Sequence, residues 1–325
     1  MTKEHLFLID PLESLHPTLD SSLRVMYELS RDGDRVYVAE PRELGWKSAH
    51  TAHARARELR FRDGPAAFTA GAPALRGLDT FASIHMRKDP PYDLDYIGTT
   101  WLLDAAGPAT RVYNAPEALR RYNEKLAILG FPDDIAPTLV STDPDALLAF
   151  IEGEAQGDAV LKPLTLFGGR GIERIKLEGS TSAAAARDLL SRLTCQGSQM
   201  RLVQAFDPAI FDGEVRAFTA FGEPIAWCLK RPAAGNFLAN TRAGAQLEAY
   251  VPAPAVLERV RRVAAALGRD GVAFIGFDLI GGRLSEINLT SPRLLQAPGD
   301  QSAPYRRVAQ LIHQDLAKSP GVTSS

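Results

Sequence analysis

The chain has 325 residues, more than one ordinary hydrophobic core holds, so two or three domains are expected. A hydrophobic share of 45% and a charged share of 23% are those of a globular protein. The 37 Lys and Arg against 39 Asp and Glu leave a net charge of −2, which excludes the basic footprint of a nucleic-acid binder and the strong field of a membrane-surface protein.

Cys195 and Cys228 are the two cysteines and make no disulfide framework, which suits a reducing compartment. The opening MTKEHLFLIDPLESLHP lacks the apolar core of a signal peptide, and no apolar run approaches a membrane span. A soluble cytoplasmic protein is expected.

In chain order, HLFLID (5–10) is an apolar run ending in an acid, a first buried strand. TLDSSLRVMYELSRDG (18–33) spaces Leu19, Leu23, Met26 and Leu29 near the helical period, with Asp20 to cap the start and Gly33 to end it. RVYVAE (35–40) follows as a strand, and strand–helix–strand signals a parallel sheet. TFASIHMRKDP (80–90) reads as a strand running into a polar loop. NAPEALRRYNEKLAILGF (114–131) reads as one helix, with Asn114 as cap, Pro116 in the first turn and Glu117 at the capping-box position.

APTLVSTDPDALLAFIEGEAQG (136–157) predicts a strand, a capped helix and a break. DAVLKPLTLFGGRGIERIKL (158–177) predicts two strands joined by a glycine-rich turn, and MRLVQAFDP (200–208) a strand entering a loop. GEVRAFTAFGEPIAWCLKRP (213–232) predicts a hairpin turning near Gly222. AAGNFLANTRAGAQLEAY (233–250), with small residues and no clean period, predicts a mobile loop. PAVLERVRRVAAALGRDG (254–271) is an amphipathic helix, and VAFIGFDLIGGRLSEINL (272–289) a hairpin turning at Gly281–Gly282. SPGVTSS (319–325) is expected to fray.

The last hairpin carries the first chemical signal. Glu286 and Asn288 are two apart and share a face. If Asp278, across the turn, joins that face, three oxygen groups converge in the way a hard cation such as Mg²⁺ takes them. The alternative is a half-solvated strand with ordinary polar residues. Lys162 ends an apolar strand ahead of Gly168, Gly169 and Gly171, whose backbone can approach a phosphate; a plain hairpin turn reads the same way. Lys125 alone is a solvated helix-face lysine. His85 reads as structural, the cysteines as inert, and no histidine–cysteine cluster supports zinc.

Taken together these segments resemble the ATP-grasp superfamily, and within it the bacterial glutathione synthetases. The matching stretches are IDPLESLHPTLDSS, MRKDPPYD (86–93), NAPEALRRYNEKL (114–126), LKPL with GGRGI, DGEVRAF (212–218), CLKRP (228–232), GFDLIGGRLSEIN (276–288) and LTSP (289–292), in the family's order. The resemblance implies an α/β N-terminal domain (1–122), then an α+β ATP-grasp lid (123–200) and catalytic domain (201–318), with 319–325 a disordered tail. It implies ATP phosphates held by Lys125 and Lys162, with Gly168 and Gly169 close by, and adenine read by the backbone of a hinge at Val203, Gln204, Ala205 and Phe206.

It further implies two Mg²⁺ ions, or Mn²⁺, on Asp278, Glu286 and Asn288. Arg216 and Arg231 would face the acyl phosphate and the incoming carboxylate, and Arg87, Lys88, Asn240 and Ser291 the substrates. The implied reaction is ATP-dependent amide formation through an acyl phosphate, from γ-glutamyl-cysteine and glycine, by a cytoplasmic dimer or tetramer acting on small molecules.

Departures cluster near the acceptor. Leu238 stands where a basic residue is expected, with Arg242 nearby; Thr165 and Leu166 replace an acidic or glycine pair; Arg293 and Ala297 follow TSP. Arg293 can bind a carboxylate bidentately or point to solvent. Two other readings therefore stand: an ATP-grasp peptide or amino-acid ligase with a different acceptor, and a nucleotide-binding pseudoenzyme.

Overall fold

The computed structural model describes residues 2–48, 52–178, 180–299 and 302–318. The tail expected to fray, 319–325, lies outside them, as does the side chain of Arg242. Among the described residues, no helix is long and apolar enough to cross a membrane.

The first sheet grows from β1 (Glu4–Leu8), whose apolar run is buried on both faces. Helix α1 (Ser21–Arg31) follows, started by Asp20, whose Oδ1 accepts from the N–H groups of Ser22 at 2.8 Å and Leu23 at 2.9 Å. Leu23, Met26 and Leu29 are buried, whereas Leu19 precedes the helix and is exposed. β2 (Arg35–Ala39) pairs parallel with β1. Beyond it β3 (Leu44–Gly45), β4 (His53–Phe61), β5 (Phe68–Ala70) and β6 (Ala74–Gly77) add an antiparallel flank, in a stretch without a clear sequence period. On the other side of β1 lie β7 (Ser83–Met86) and, after α2 (Leu94–Leu103), β8 (Arg111–Tyr113), both parallel.

The helix expected over 114–131 is a correction. Only α3 (Pro116–Arg121) is α-helical, Ala115 stands at its cap, and Lys125 lies in a turn. Side chains have claimed the backbone. Asn123 Oδ1 accepts from the N–H of Lys125 at 3.0 Å, and Tyr122 is extended. Asn114 is buried instead of capping. Its amide donates to Phe274 O and Leu289 O at 2.9 and 2.8 Å and accepts from Ala273 N and Phe274 N at 2.8 and 2.7 Å.

A four-stranded antiparallel sheet follows, in the order β11-β10-β12-β9. It comprises β9 (Thr138–Ser141), β10 (Asp158–Pro163), β11 (Glu173–Lys176) and β12 (Arg201–Ala205). Helices α4 (Pro144–Glu152), capped by Asp143, and α5 (Ser180–Leu193) cover one face. The third sheet contains β13 (Glu214–Ala220), β14 (Glu223–Arg231), β15 (Gln246–Ala249), β16 (Phe274–Ile280) and β17 (Arg283–Asn288), in the order β15-β14-β13-β16-β17. The segment read as one loop to residue 250 thus ends in β15, because backbone pairing with the edge of β14 supplies the order its side chains lack.

Helix α6 (Pro254–Gly268) buries Val260, Val263 and Leu267 against Phe277, Leu279 and Ile287. Helix α7 (Ser302–Ala317) runs back to α1, placing Val308 and Ile312 in one cluster with Met26, Leu29, Phe218 and Phe274. The first and third sheets are thereby packed together around the ends of β1, β7 and β16.

Asn114→Ala leaves four buried backbone groups without partners and is expected to cost about 3 kcal/mol or more, read as a lowered denaturant midpoint. A cost below about 1 kcal/mol would contradict this account of Asn114.

Candidate active site

The register of the third sheet lines up one row of side chains. Cys228 of β14 lies opposite Arg216 of β13, Arg216 opposite Asp278 of β16, and Asp278 opposite Glu286 of β17. One pair further along, Glu214 lies opposite Lys230. Alternation puts these groups on one face of the sheet, while α6 covers the other. Gly276 is what lets Arg216 lie flat there: a Cβ at that position would stand 2.5 Å from Arg216 Nη1.

Asp278 is buried between cations. Its Oδ1 accepts from Lys230 Nζ at 2.6 Å and its Oδ2 lies 3.2 Å from Arg216 Nη2. Burial acts to raise the Asp278 pKa, but Arg216 and Lys230 outweigh it and hold the carboxyl below its ordinary range. Lys230 also pairs with Glu214. Burial acts to lower the Lys230 pKa, and Asp278 with Glu214 turns the shift upward, so the ammonium stays charged. The Asn288 amide donates to Gly276 O at 3.0 Å and Asp278 Oδ2 at 2.9 Å, which leaves its carbonyl oxygen for a ligand. Arg216 Nε is buried and, among the described residues, has no hydrogen-bond partner.

The lysines approach from the other elements. Lys125 Nζ donates to Glu286 Oε1 at 3.2 Å and to Leu166 O at 2.6 Å. Lys162 Nζ donates to Gln204 Oε1 at 3.1 Å and to Ser285 Oγ at 3.0 Å; burial lowers its pKa. Gly168 and Gly169 have φ of 66° and 78°, left-handed values, and their loop meets the 233–245 loop where Asn240 donates to Gly168 O.

Both loops wall a cavity of about 750 Å³ that also reaches Glu214, Arg216, Lys230, Asp278, Glu286, Asn288, Ser291 and Arg293. The far wall comes from the first sheet. Arg87 lines it and donates to Ser22 Oγ and Pro292 O, each at 3.0 Å. Ser291 Oγ donates to Arg87 O at 3.2 Å, and Lys88 is tied to Asp10 at 2.8 Å.

One expectation is corrected. Arg231 does not join Arg216. One residue past Lys230, it points to the opposite face and pairs with Glu248 at 2.7 Å, with 43% of its side chain exposed. The expected hinge, Val203, Gln204, Ala205 and Phe206, is the end of β12 and the residue after it. Val203 and Gln204 pair on both sides with β10 and β9, while the N–H groups of Ala205 and Phe206 donate to Pro137 O and Asp158 O.

Four site groups escaped sequence reading. Lys230 and Glu214 follow from strand alternation around Arg216. Arg170 lies in the glycine loop. Glu124 is half-buried, accepting from Leu289 N, Thr290 N and Thr290 Oγ1; desolvation, then the Glu286 charge, raises its pKa.

Residues 4–120 match the family described as prokaryotic glutathione synthetase, N-terminal domain, and residues 124–298 match prokaryotic glutathione synthetase, ATP-grasp domain. The glutathione synthetase of Pseudomonas syringae pv. tomato is 38% identical over 292 residues, covering 89% of each chain. That of Ralstonia nicotianae is 34% identical over 322 residues, covering 98% of this chain and 97% of the relative. Among solved structures, D-cycloserine synthetase DcsG superposes with a TM-score of 0.65 at 14% identity, covering 95% of this chain and 99% of that one. The ATP-grasp ligase PsnB with its minimal precursor gives 0.61 at 18%, covering 96% and 99%; these two likenesses concern the fold. The chain belongs to the prokaryotic glutathione synthetase family, and it is an ATP-dependent, ADP-forming C–N ligase acting on small molecules with a divalent metal.

Removing the buried guanidinium by Arg216→Ala is expected to lower kcat by about 10²-fold or more, whereas Arg231→Ala costs under about tenfold. Comparable losses in steady-state ADP release would contradict the assignment of the two arginines to opposite faces.

Proposed function

We propose that this ligase joins the cysteinyl carboxylate of γ-glutamyl-cysteine to the amine of glycine, converting ATP to ADP and phosphate. The observation that carries this reading is the buried row Lys230–Asp278–Arg216 with Glu286 and Asn288 on one wall of the cavity. There the protein's cations and oxygen donors neutralise one another. A cation with a polyphosphate divides the same way: the cation goes to the oxygens, the phosphate to the lysines and arginine.

In this reading Asp278, Glu286 and Asn288 would hold two Mg²⁺ ions, or Mn²⁺, since all three offer hard oxygen donors and lie on one face of the sheet. Bound there, the ions neutralise charge on the transferring phosphoryl group. Lys125 exchanges Glu286 and Leu166 O for phosphate oxygens. Lys162, fixed by Gln204 and Ser285, presents a second charge.

A substrate carboxylate oxygen then attacks the γ-phosphorus, and the bond to ADP breaks. The amine nitrogen adds to the carbonyl of the acyl phosphate; the carbon–oxygen bond breaks, releasing phosphate, as the amine loses a proton. Arg216 faces the tetrahedral oxyanion with its uncommitted Nε–H, a donor worth about 3 kcal/mol in such sites. The Gly168–Asn240 contact holds two loops over the cavity, where they keep water from the acyl phosphate.

The division into 1–122, 123–200 and 201–318, the dimer or tetramer and the cytoplasmic location complete this reading and rest on the family resemblance.

A second reading, a ligase for a larger or acidic acceptor, is favoured by Arg170 and Arg293. Both line the cavity, and among the described residues neither is in an ion pair. With ATP, Mg²⁺ and γ-glutamyl-cysteine, ADP release is expected to rise on adding glycine. Stimulation by an acidic amine but not by glycine would replace the first reading with the second. Background release with every carboxylate–amine pair would favour a pseudoenzyme.

Glu286→Gln is expected to lower turnover by about 10²-fold or more with an unchanged melting temperature. A near-normal rate would sink the metal assignment.

A further inference from the structure

A second cluster of ligand-bearing side chains lies apart from the cavity; none of its members lines that space. His5 is on β1, Asp34 follows α1, and His313 is on α7, so residues distant in sequence are joined only by the fold. One ligand atom from each lies within 4.8 Å of the other two. His5 Nε2 is 3.0 Å and His313 Nε2 2.7 Å from the same oxygen, Asp34 Oδ2. Ligand atoms around a four-coordinate zinc ion stand about 3.3 Å apart, so the two histidine–carboxylate distances need change by only a few tenths of an ångström.

The outer partners point the same way. Two of the ligands are hydrogen-bonded through their other polar atom, and the third stands beside a second carboxylate. His5 Nδ1 bonds Ser83 Oγ at 2.7 Å, Asp34 Oδ1 accepts from Lys3 N–H at 2.8 Å, and His313 Nδ1 lies 3.6 Å from Asp32 Oδ2. Metal-ligating histidines are fixed in this manner, through the ring nitrogen that does not touch the ion. With Nε2 on a metal, His5 would carry its proton on Nδ1 and donate to Ser83, whose hydroxyl then donates to His85 Nε2 at 2.8 Å, so every member has a partner. His5 is fully buried and His313 is 26% exposed, which leaves an entry path and a fourth position for water.

We propose that His5, Asp34 and His313 form a structural site for a zinc-class divalent ion, which ties α7 to β1 and to the start of β2. Two imidazoles and one carboxylate are a borderline-soft donor set, unlike the oxygen set at Asp278, so the two sites would sort zinc from magnesium. The ion would also steady the cavity wall, because Tyr305 of α7 donates to Leu294 O in the loop after β17.

The test uses the full chain without an affinity tag, stripped by chelator, exposed to Zn²⁺ and dialysed, with bound metal measured by elemental analysis. About one zinc per chain is expected to remain. His313→Ala and Asp34→Asn are expected to fall to background, Ser83→Ala to bind about tenfold more weakly, and Glu286→Gln to keep the ion. Cobalt substituted into the unaltered chain is expected to give a four-coordinate visible spectrum that zinc abolishes, a readout independent of how any variant folds. No retained zinc, or equal retention by folded His313→Ala, would overturn the proposal and leave a hydrogen-bonded His–Asp–His cluster.

Discussion

A carboxylate buried between two cations governs this molecule. Taking Asp278 out of water alone would disfavour its charge, and the site is tolerable because Arg216 and Lys230 flank it and Asn288 donates to it. The cost of such a row constrains everything around it. β13, β14 and β16 must keep their register, since a slip of one residue would turn every charge into the α6 core. Position 276 must lack a side chain so that the guanidinium has room. The charges that pair with one another along this row are the ones a cation–polyphosphate would take over, so stability and chemistry draw on one set of contacts.

The rest of the fold brings other walls to that row. Asn114 pins the end of the first sheet to β16 and to the segment after β17. Arg87 ties the end of β7 to Pro292. Helix α7 returns the chain to α1 and shares its core, so two sheets far apart in sequence are held rigidly around one side of the cavity. The other side is two glycine-containing loops that meet where Asn240 donates to Gly168 O, a cover over the cavity.

Much of this was readable without coordinates, for identifiable reasons. The hairpin at Gly281–Gly282 and the acid–acid–amide spacing of Asp278, Glu286 and Asn288 are local patterns, and local patterns survive into structure. The helix over 114–131 failed because Asn114 and Asn123, good local cap and turn residues, were spent on long-range and turn contacts that composition cannot show. Arg231 was misplaced for the opposite reason: strand alternation was available, and it assigns Lys230 to the site and Arg231 to the far face. His5, Asp34 and His313 were invisible, since nothing in a one-dimensional reading joins residue 5 to residue 313.

The central claim is that Asp278 links metal binding to nucleotide binding. The most direct measurement is the calorimetric affinity of a non-hydrolysable ATP analogue with and without Mg²⁺, for the native chain and for Asp278→Asn. Magnesium is expected to tighten binding to the native chain by about tenfold or more and to leave the variant nearly unchanged. An equal gain in both proteins would show that the buried row does not hold the metal, and would contradict the account.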